Sequence, residues 1–366
     1  LFEEITQQPE YYLTDVELEI MERHIDEMAA LIGKTASLIE FGAGSGMKTR
    51  MLLEHMHEPA AYVPVDISEE HLLDSQQSIQ QDFPDIEVLP VPADFLHPFD
   101  LPEPATMPLR HVVYFPGSTI GNFERDAAVD LLEVMHEEAG EDGALLIGAD
   151  LKKDPDVIRA AYNDSAGVTA RFNMNMLAHL NREFVAEFDI DTFEHRATYD
   201  RDNGRVVMEL VSQRDQVVQV GDARIPIARD EAITTEYSHK YSLEGFADMV
   251  AAAGFESQRV WTDPQGWFSV HYCTRPSLRD QLPYIRSKVA DPFRTGIKVS
   301  TTLIGLTGGR HEVLGCRRAA TEEELLHLGL EKLARLGLDG REPVFVDQHR
   351  LVAKPALPGL LRYVVV

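Results

Sequence analysis

A glycine-rich loop, Gly42-Ala43-Gly44-Ser45-Gly46, directly follows an apolar segment at residues 36–41 that predicts a buried strand. Glycines at such a point permit a tight turn and let a ligand approach the backbone closely. The helix predicted at residues 48–57 offers free N–H groups at its start. Alone, the loop is also consistent with an ordinary glycine turn that binds nothing.

Two acidic residues follow the next predicted strands. Asp66 comes directly after a short apolar segment at 61–65, where an acid can accept hydrogen bonds from both hydroxyls of an adenosine ribose. Asp94 and Phe95 follow the segment 86–91, so that the carboxylate can accept the adenine amino group and the ring can cover one adenine face. Each Asp alone fits a helix cap or a solvated turn. The glycine loop and both acids, in this order at strand ends, favour an adenosine-containing ligand.

Glu40 lies two residues before the first loop glycine. A carboxylate there would repel the pyrophosphate of a dinucleotide, but not the ammonium and sulfonium cations of S-adenosylmethionine. We therefore favour S-adenosylmethionine as co-substrate and a methyltransferase as the activity. A nicotinamide-dependent oxidoreductase stays open as the last-ranked alternative.

The carboxyl ends of these successive strands lie at one edge of a sheet only if the strands are parallel. Predicted strands and helices alternate along the first 150 residues, which is typical of a parallel sheet with crossover helices. The predicted strands are 36–41, 61–65, 86–91, 109–115 and 144–147, and the predicted helices are 17–34, 48–57, 69–82 and 125–138. The sequence thus predicts an α/β fold with a Rossmann-like methyltransferase sheet.

The pattern changes after Asp150. Two helices are predicted within 155–180, and antiparallel strands at 193–200, 205–214 and 216–220; a helix at 243–253 and strands at 258–261 and 267–272 then return to the first pattern. We predict a methyltransferase domain at 17–152 and 241–273, an inserted α+β substrate-binding domain at 1–16 and 153–240, and a C-terminal extension of unknown role at 274–366. The extension holds apolar segments at 303–309 and 343–346 and a capped helix at 322–336.

Composition and charge restrict the partners. Of the 366 residues, 44% are hydrophobic, which is typical of a globular protein. The net charge of −27 is unfavourable for binding nucleic acid or anionic lipid. Residues 274–366 hold 15 basic against 10 acidic side chains, which supports a boundary near 275. Two cysteines without a CxxC motif and no apolar run of 18 residues predict a reduced, cytoplasmic protein without a membrane span. We expect no metal.

Several longer sequence motifs resemble those of a known family, which the glycine loop alone does not show. They are LFEEITQQPEYY at 1–12, FGAGSGMKTRMLL at 41–53, YVPVDIS at 62–68, GSTIGNF at 117–123, GADLKKDPDVIRAAYNDSAGVTARFNMN at 148–175, TEYSHKY at 235–241 and WTDPQG at 261–266. Through these the chain resembles the histidine-specific Nα-methyltransferases of ergothioneine biosynthesis, whose relatives include a fungal N-methyltransferase of a tryptophan derivative. The resemblance covers residues 1 to about 273.

The resemblance implies roles by position. Gly42, Gly44, Lys48, Asp66, Asp94 and Phe95 would bind S-adenosylmethionine. Tyr11, Asn122, Tyr162, Met208, Glu236 and Ser238 would bind the amino acid, with Tyr11 and Asn122 as the catalytic candidates. Asn122 and Tyr162 would lie at its amino and carboxylate end, and Met208 beside its ring.

The pair Glu236 and Ser238 has a physical reading that agrees with this assignment. Side chains at i and i+2 of an extended segment point the same way. A carboxylate and a hydroxyl so placed can satisfy the two nitrogens of an imidazole, whereas an indole would not need the pair. Without the family context, both residues fit a solvated strand face, Met208 and Tyr11 fit core positions, and Asn122 fits a helix cap.

We therefore predict methylation of the α-amino nitrogen of L-histidine, up to the trimethyl product hercynine, as the first step of ergothioneine biosynthesis. Alternatives are N-methylation of tryptophan or another aromatic amino acid, and a non-catalytic S-adenosylmethionine-binding partner subunit. A monomer is expected. The family has a segment before the LFEEIT-like stretch with a tyrosine near the substrate, and the sequence begins at Leu1 without it, so we expect a truncated chain.

Overall fold

The computed structural model describes residues 1–44 and 46–275, together with the backbone of four strands between 300 and 365. Leu1–Arg275 forms one compact unit, and Pro276–Val366 forms a second. The division of the first unit into a methyltransferase and a substrate-binding domain stays a prediction. Among the described residues, no helix is long and apolar enough to cross a membrane.

A seven-stranded sheet lies at the centre of the first unit. The strands of this unit, in chain order, are β1 Ala36–Phe41, β2 Ala61–Asp66, β3 Val91–Pro92, β4 Arg110–Phe115, β5 Ala144–Asp150, β6 Phe193–Asp200, β7 Arg205–Ser212, β8 Gln216–Val220, β9 Ala223–Ile227, β10 Ala232–His239, β11 Glu256–Thr262 and β12 Phe268–Thr274. The central sheet has the order β11-β12-β5-β4-β1-β2-β3. Strands β1 to β5 are parallel, and β12 is antiparallel to both of its neighbours.

Strand β1 has β2 on one side and β4 on the other, so the strand order reverses there. In open α/β sheets, ligands bind in the crevice outside the carboxyl ends of the strands at such a reversal. Every residue of β1 and β5 is buried, as expected for strands covered on both faces. The predicted α/β class is confirmed.

Helices cover both faces of this sheet. The helices of this unit are α1 Phe2–Thr6, α2 Tyr12–Ile32, α3 Met47–His55, α4 Glu69–Asp82, α5 Arg125–Ala139, α6 Pro155–Ala161, α7 Val168–Glu183 and α8 Leu243–Ala252, with short 3₁₀ turns at Thr119–Asn122 and Ile190–Thr192. Of these, α2, α3, α4, α5 and α8 pack on the large sheet. One apolar core joins the sheet to α5 and α8, for example through Met135 and Phe246. A second core joins the other face to α2 and α3, for example through Met28 and Leu52.

A smaller antiparallel sheet, in the order β10-β7-β6, and a β8-β9 hairpin follow α6 and α7. The hairpin and α7 share a core with this sheet that includes Leu177, Leu210 and Val218. A third core joins β6 and β7 to α6 and to the start of α2 through Tyr12 and Tyr162. The N-terminal residues therefore pack on the small sheet, although α2 itself continues along the large one.

Two predicted boundaries were wrong. The predicted strand at 86–91 is reduced to Val91–Pro92 and a bridge between Tyr62 and Val88, because Pro90 and Pro92 have no N–H to donate to a ladder. The predicted helix at 17–34 begins earlier, at Tyr12.

The second unit contains the strands β13 Ser300–Thr307, β14 Arg310–Arg318, β15 Phe345–Val346 and β16 Arg362–Val365, in the order β14-β13-β16-β15. Strands β13 and β15 overlap the apolar segments noted at 303–309 and 343–346. The capped helix predicted at 322–336 lies outside the described residues.

Candidate functional site

The glycine loop joins the carboxyl end of β1 to the start of α3. Gly42 has φ +78°, a conformation that favours glycine, and its N–H donates to the carbonyl of Val65 in β2 at 2.8 Å. A Cβ on Gly42 would lie 3.8 Å from the Phe95 ring, whereas a Cβ on Gly44 would meet nothing within 4 Å. Phe95 packs on Phe41, with ring centroids 5.5 Å apart. The loop thus has an aromatic wall on one side and open space at Gly44.

The two predicted adenosine-binding acids lie at neighbouring strand ends. Asp66 is the last residue of β2 and pairs in register with Pro92 of β3, two residues before Asp94. Asp66 accepts a hydrogen bond from the Ser68 N–H at 2.9 Å, and Asp94 accepts one from the Leu96 N–H at 3.1 Å. Each carboxylate therefore stabilises its own turn, and the sheet register brings the two turns to the same edge.

Glu40 does not play the electrostatic part that its position in the sequence suggested. Its carboxylate is buried and accepts hydrogen bonds from the hydroxyls of Thr49, at 2.8 Å, and Tyr62. Burial raises the pKa of Glu40, and these hydroxyls partly offset that rise. The residue joins α3 to β1 and β2, so it shapes the loop rather than presenting an unpartnered charge to a ligand.

Lys48, a predicted cofactor residue, forms an ion pair with Glu17 of α2. Glu17 is 1% exposed and also accepts a hydrogen bond from the Gly117 N–H at 2.9 Å. A side chain on Gly148 would collide with the Glu17 carboxylate. Sequence reasoning missed Glu17, whose only signal is an acid among the apolar positions of an amphipathic helix.

The predicted ring-binding residues share one face of the small sheet. In the antiparallel pairing of β10 with β7, Glu236 lies opposite Met208 and Ser238 lies opposite Val206. A register shift between Thr234 and Glu236 determines which β10 residues lie opposite these β7 residues. Because alternate residues of a strand point to the same side, the Glu236 and Ser238 side chains project together, beside the buried Met208.

A buried lysine that the sequence reasoning missed connects these residues to the large sheet. The Lys240 ammonium donates to the Tyr162 hydroxyl at 2.8 Å, the Ser238 hydroxyl at 2.9 Å and the Asp150 carboxylate at 2.7 Å. The hydroxyl oxygens of Tyr162 and Ser238 are 2.7 Å apart. Asp150 is the last residue of β5, so this network links the two sheets.

The Asp150 carboxylate receives further donors. The Tyr12 hydroxyl donates to it at 2.8 Å, and Lys153 forms an ion pair with it while donating to the Tyr12 oxygen at 2.7 Å. Burial lowers the pKa of Lys153 to about 8, although Asp150 opposes that shift. Burial also acts to lower the pKa of Lys240, but Asp150 and Tyr162 outweigh it and the net shift is upward. The buried carboxylate thus balances two lysines.

Glu236 differs from Asp150 in having no hydrogen-bond partner among the residues that the structure describes. Burial raises its pKa, and the nearby Lys240 partly opposes the rise. Tyr11 packs edge-on against Tyr162, with centroids 6.5 Å apart, and burial together with Tyr162 and Glu236 raises the pKa of its phenol. A partly buried carboxylate without a protein donor is free to accept a hydrogen bond from a ligand or from water.

Asn122 is the predicted residue that stands apart. It ends the 3₁₀ turn and is exposed, and its side chain makes no hydrogen bond to the described residues. Its neighbour Gly121 packs tightly on β10, where a Cβ would come within 2.8 Å of the His239 carbonyl oxygen. The turn is therefore held against β10, whereas Tyr11, Tyr162, Met208, Glu236 and Ser238 are brought together by contacts, hydrogen bonds and register.

The position of Tyr162 does not fit a substrate site in which the amino-acid end and the imidazole end are separate. The resemblance implies that Tyr162 lies at the amino and carboxylate end, yet its hydroxyl bonds to Ser238, a predicted imidazole ligand. The two predicted ends of the substrate site therefore meet at this hydrogen bond.

Two surface cavities of about 370 and 340 Å³ lie elsewhere. The predicted site residues line neither of them, although Lys240 lines the smaller one. No group of His, Cys, Asp and Glu in the described residues is arranged to hold a metal.

Comparison with known proteins shows which family the sequence matches. Residues 1–275 match a family described as histidine-specific, S-adenosylmethionine-dependent methyltransferases. The histidine N-alpha-methyltransferase of Mycolicibacterium smegmatis is 37% identical over 281 residues, which are 75% of this chain and 86% of that protein. The histidine N-alpha-methyltransferase of Mycobacterium tuberculosis is 36% identical over 276 residues, covering 74% and 84%.

More distant proteins are also similar. Ergothioneine biosynthesis protein 1 of Neurospora crassa is 32% identical over 274 residues, which are 72% of this chain but 30% of that protein. A 4-dimethylallyltryptophan N-methyltransferase of Epichloe festucae var. lolii is 25% identical over 283 residues, covering 70% and 81%. Among solved structures, an S-adenosylmethionine-dependent methyltransferase from Clostridium acetobutylicum has a TM-score of 0.42 at 10% identity, covering 72% and 93%.

Proposed function

Since the chain belongs to the histidine-specific, S-adenosylmethionine-dependent methyltransferase family, we propose that it methylates the α-amino nitrogen of L-histidine in ergothioneine biosynthesis. The observation that carries the choice of histidine is the Glu236 and Ser238 pair. Glu236 is mostly buried without a donor from the described residues, and Ser238 projects from the same strand face.

We propose that S-adenosylmethionine lies across the carboxyl ends of β1, β2 and β3. Gly42 and Gly44 would let it approach the backbone, Asp66 would accept from the ribose hydroxyls, and Asp94 with Phe95 would hold the adenine. The residues fit this group because the loop is walled by Phe95 and open at Gly44. Lys48, close to Gly117 and Glu17, would meet the carboxylate of the methionine part.

Histidine would enter with its imidazole toward β10. The Glu236 carboxylate would accept from one ring N–H, the Ser238 hydroxyl would donate to the other nitrogen, and Met208 would pack on the ring. Tyr11, Tyr162 and Asn122 would surround the remainder of the amino acid. An indole offers one N–H and no ring acceptor, so it would leave the proton of the Ser238 hydroxyl without an acceptor on the ring.

Little covalent chemistry is required of the protein. S-Adenosylmethionine supplies an activated methyl group, and the attacking amine must present a free lone pair in line with the bond that breaks. The chain's own residues would orient the amine and exclude water. Tyr11 and Asn122 are the candidates for steering the nitrogen, and repeated rounds would give the trimethylated product.

Mass spectrometry of histidine incubated with the protein and S-adenosylmethionine tests this proposal. We expect successive gains of one methyl group on histidine, and no comparable gain on tryptophan under the same conditions. Methylated tryptophan without methylated histidine would overturn the choice of substrate. Binding of S-adenosylmethionine by calorimetry without turnover of any amino acid would instead support a non-catalytic partner subunit.

A further inference from the structure

Each donor in the hydrogen-bond network around Lys240 can be assigned to an acceptor. An ammonium has three N–H donors, and Lys240 directs all three at protein acceptors, namely Tyr162, Ser238 and Asp150. Lys240 and Asp150 are both 0% exposed in their side chains, so water does not compete for these bonds. The orientation of the ammonium is therefore fixed by three partners on three separate parts of the chain.

The fixed ammonium restricts what the two hydroxyls can do. Each hydroxyl has one proton and two lone pairs. Lys240 occupies one lone pair on Tyr162 and one on Ser238, and the bond between these two hydroxyls uses one of their protons and one further lone pair. One hydroxyl proton then remains for a ligand. The phenol is the stronger acid of the two, so it is the better donor in their mutual bond, which leaves the Ser238 proton directed at the ligand.

We propose that Lys240 is a specificity-determining positioning residue: by occupying the acceptor sides of Tyr162 and Ser238, it makes Ser238 a hydrogen-bond donor toward the substrate ring. Together with the Glu236 carboxylate, which only accepts, the site then demands a ring with one acceptor nitrogen and one N–H. Neutral imidazole meets this demand, and pyrrole or indole rings do not. This inference rests on the proposed function, since it assigns the origin of the preference for histidine.

The charges are consistent with this arrangement. With Glu236 ionised, Lys240 is the counter-charge of two carboxylates, since it forms an ion pair with Asp150 and also acts electrostatically on Glu236. A neutral imidazole adds no charge to the site, whereas removal of Lys240 leaves a net negative charge beside the ring. Lys240 would thus also help to keep Glu236 ionised at the pH of the reaction.

The test compares Lys240→Met with the intact chain, using histidine and β-(pyrrol-2-yl)alanine, an analogue whose ring has an N–H but no acceptor nitrogen. In Lys240→Met, Ser238 is free to accept, so the KM for histidine should rise roughly tenfold, as for one lost hydrogen bond. The preference for histidine over the pyrrole analogue should shrink by a similar factor. The Kd for S-adenosylmethionine, measured by calorimetry, should stay unchanged.

Two further variants separate positioning from a general loss of structure. Lys152→Met removes the same charge from an exposed neighbouring lysine and should leave both KM values unchanged. The double variant Asp150→Asn with Lys240→Met leaves no uncompensated carboxylate, and Lys153 keeps the Tyr12 oxygen and the new amide oxygen as acceptors. This variant should show the same loss of ring preference. An unchanged preference in Lys240→Met or in the folded double variant would overturn the role of Lys240.

Failure of the proposed function would look different. If the intact chain neither binds nor methylates histidine, the substrate assignment is wrong before any variant is measured. If the intact chain methylates histidine with a strong preference over the pyrrole analogue, and Lys240→Met retains that preference, only the inference about Lys240 is wrong.

Discussion

The Glu236 carboxylate offers the sharpest test of the substrate site. It lies on β10 opposite Met208, is mostly buried, and has no donor among the described residues. In Glu236→Ala, a bound imidazole loses a charged acceptor, and one of its N–H groups is left unpaired. A hydrogen bond to a charged group contributes about 1.5–3 kcal/mol, so the KM for histidine should rise roughly 10- to 150-fold.

The assay is the initial rate of methyl transfer to histidine at saturating S-adenosylmethionine, with the product quantified by mass spectrometry. The KM for S-adenosylmethionine should change little, since Asp66 and Asp94 lie at the other sheet. Glu236→Gln keeps the shape and one neutral acceptor, so its loss should be smaller than that of Glu236→Ala. Glu194→Gln is the matched control, an exposed acid on β6 of the same small sheet.

The pH dependence gives a second readout of the same residue. Because burial raises the pKa of Glu236, protonation should replace the charged acceptor by a weaker neutral one at a higher pH than for an exposed glutamate. The affinity for histidine should therefore fall as the pH decreases through that raised pKa, and Glu236→Gln should lack this part of the profile. A histidine KM that is the same in Glu236→Ala and the intact chain would refute the assignment.

Three other changes have expected outcomes. Asp66→Asn should raise the Kd for S-adenosylmethionine by about tenfold in calorimetry, as for a lost charged hydrogen bond, and an unchanged Kd would remove Asp66 from that site. Gly121→Ala would place a Cβ 2.8 Å from the His239 carbonyl oxygen, and this overpacking should lower the free energy of unfolding in denaturant by about 1–3 kcal/mol; equal stability would contradict the tight contact. Burial lowers the pKa of His271 to about 4 from 6.5, so the unfolded chain binds its proton first, and stability should fall as the pH decreases from 6.5 towards 4. That loss should amount to about 3 kcal/mol and be absent from His271→Leu in unfolding curves recorded at pH 7 and pH 4.

The sequence determined the parts of this protein that depend on local pattern. Apolar runs such as Ala36–Phe41, separated by helical periodicity, are enough to predict parallel strands with crossover helices, and the α/β fold follows. The glycine loop could be placed at a strand end because turn chemistry is local. Motifs such as TEYSHKY indicated the family. The i and i+2 spacing of Glu236 and Ser238 predicted that their side chains lie on the same face of a strand, and both residues lie on β10 at that spacing.

Only the tertiary structure decided which polar groups are already satisfied. Glu40 looked like a charge facing a ligand, yet Thr49 and Tyr62 from other elements satisfy it. Lys240 is one of 34 basic residues in the sequence, and nothing local marks it as the buried partner of Asp150, 90 positions earlier in the chain. Burial and hydrogen-bond partners depend on which segments meet in space, and the sequence pattern does not encode that meeting locally. The roles of Lys240 and Asp150 therefore emerge only when the two sheets are seen together.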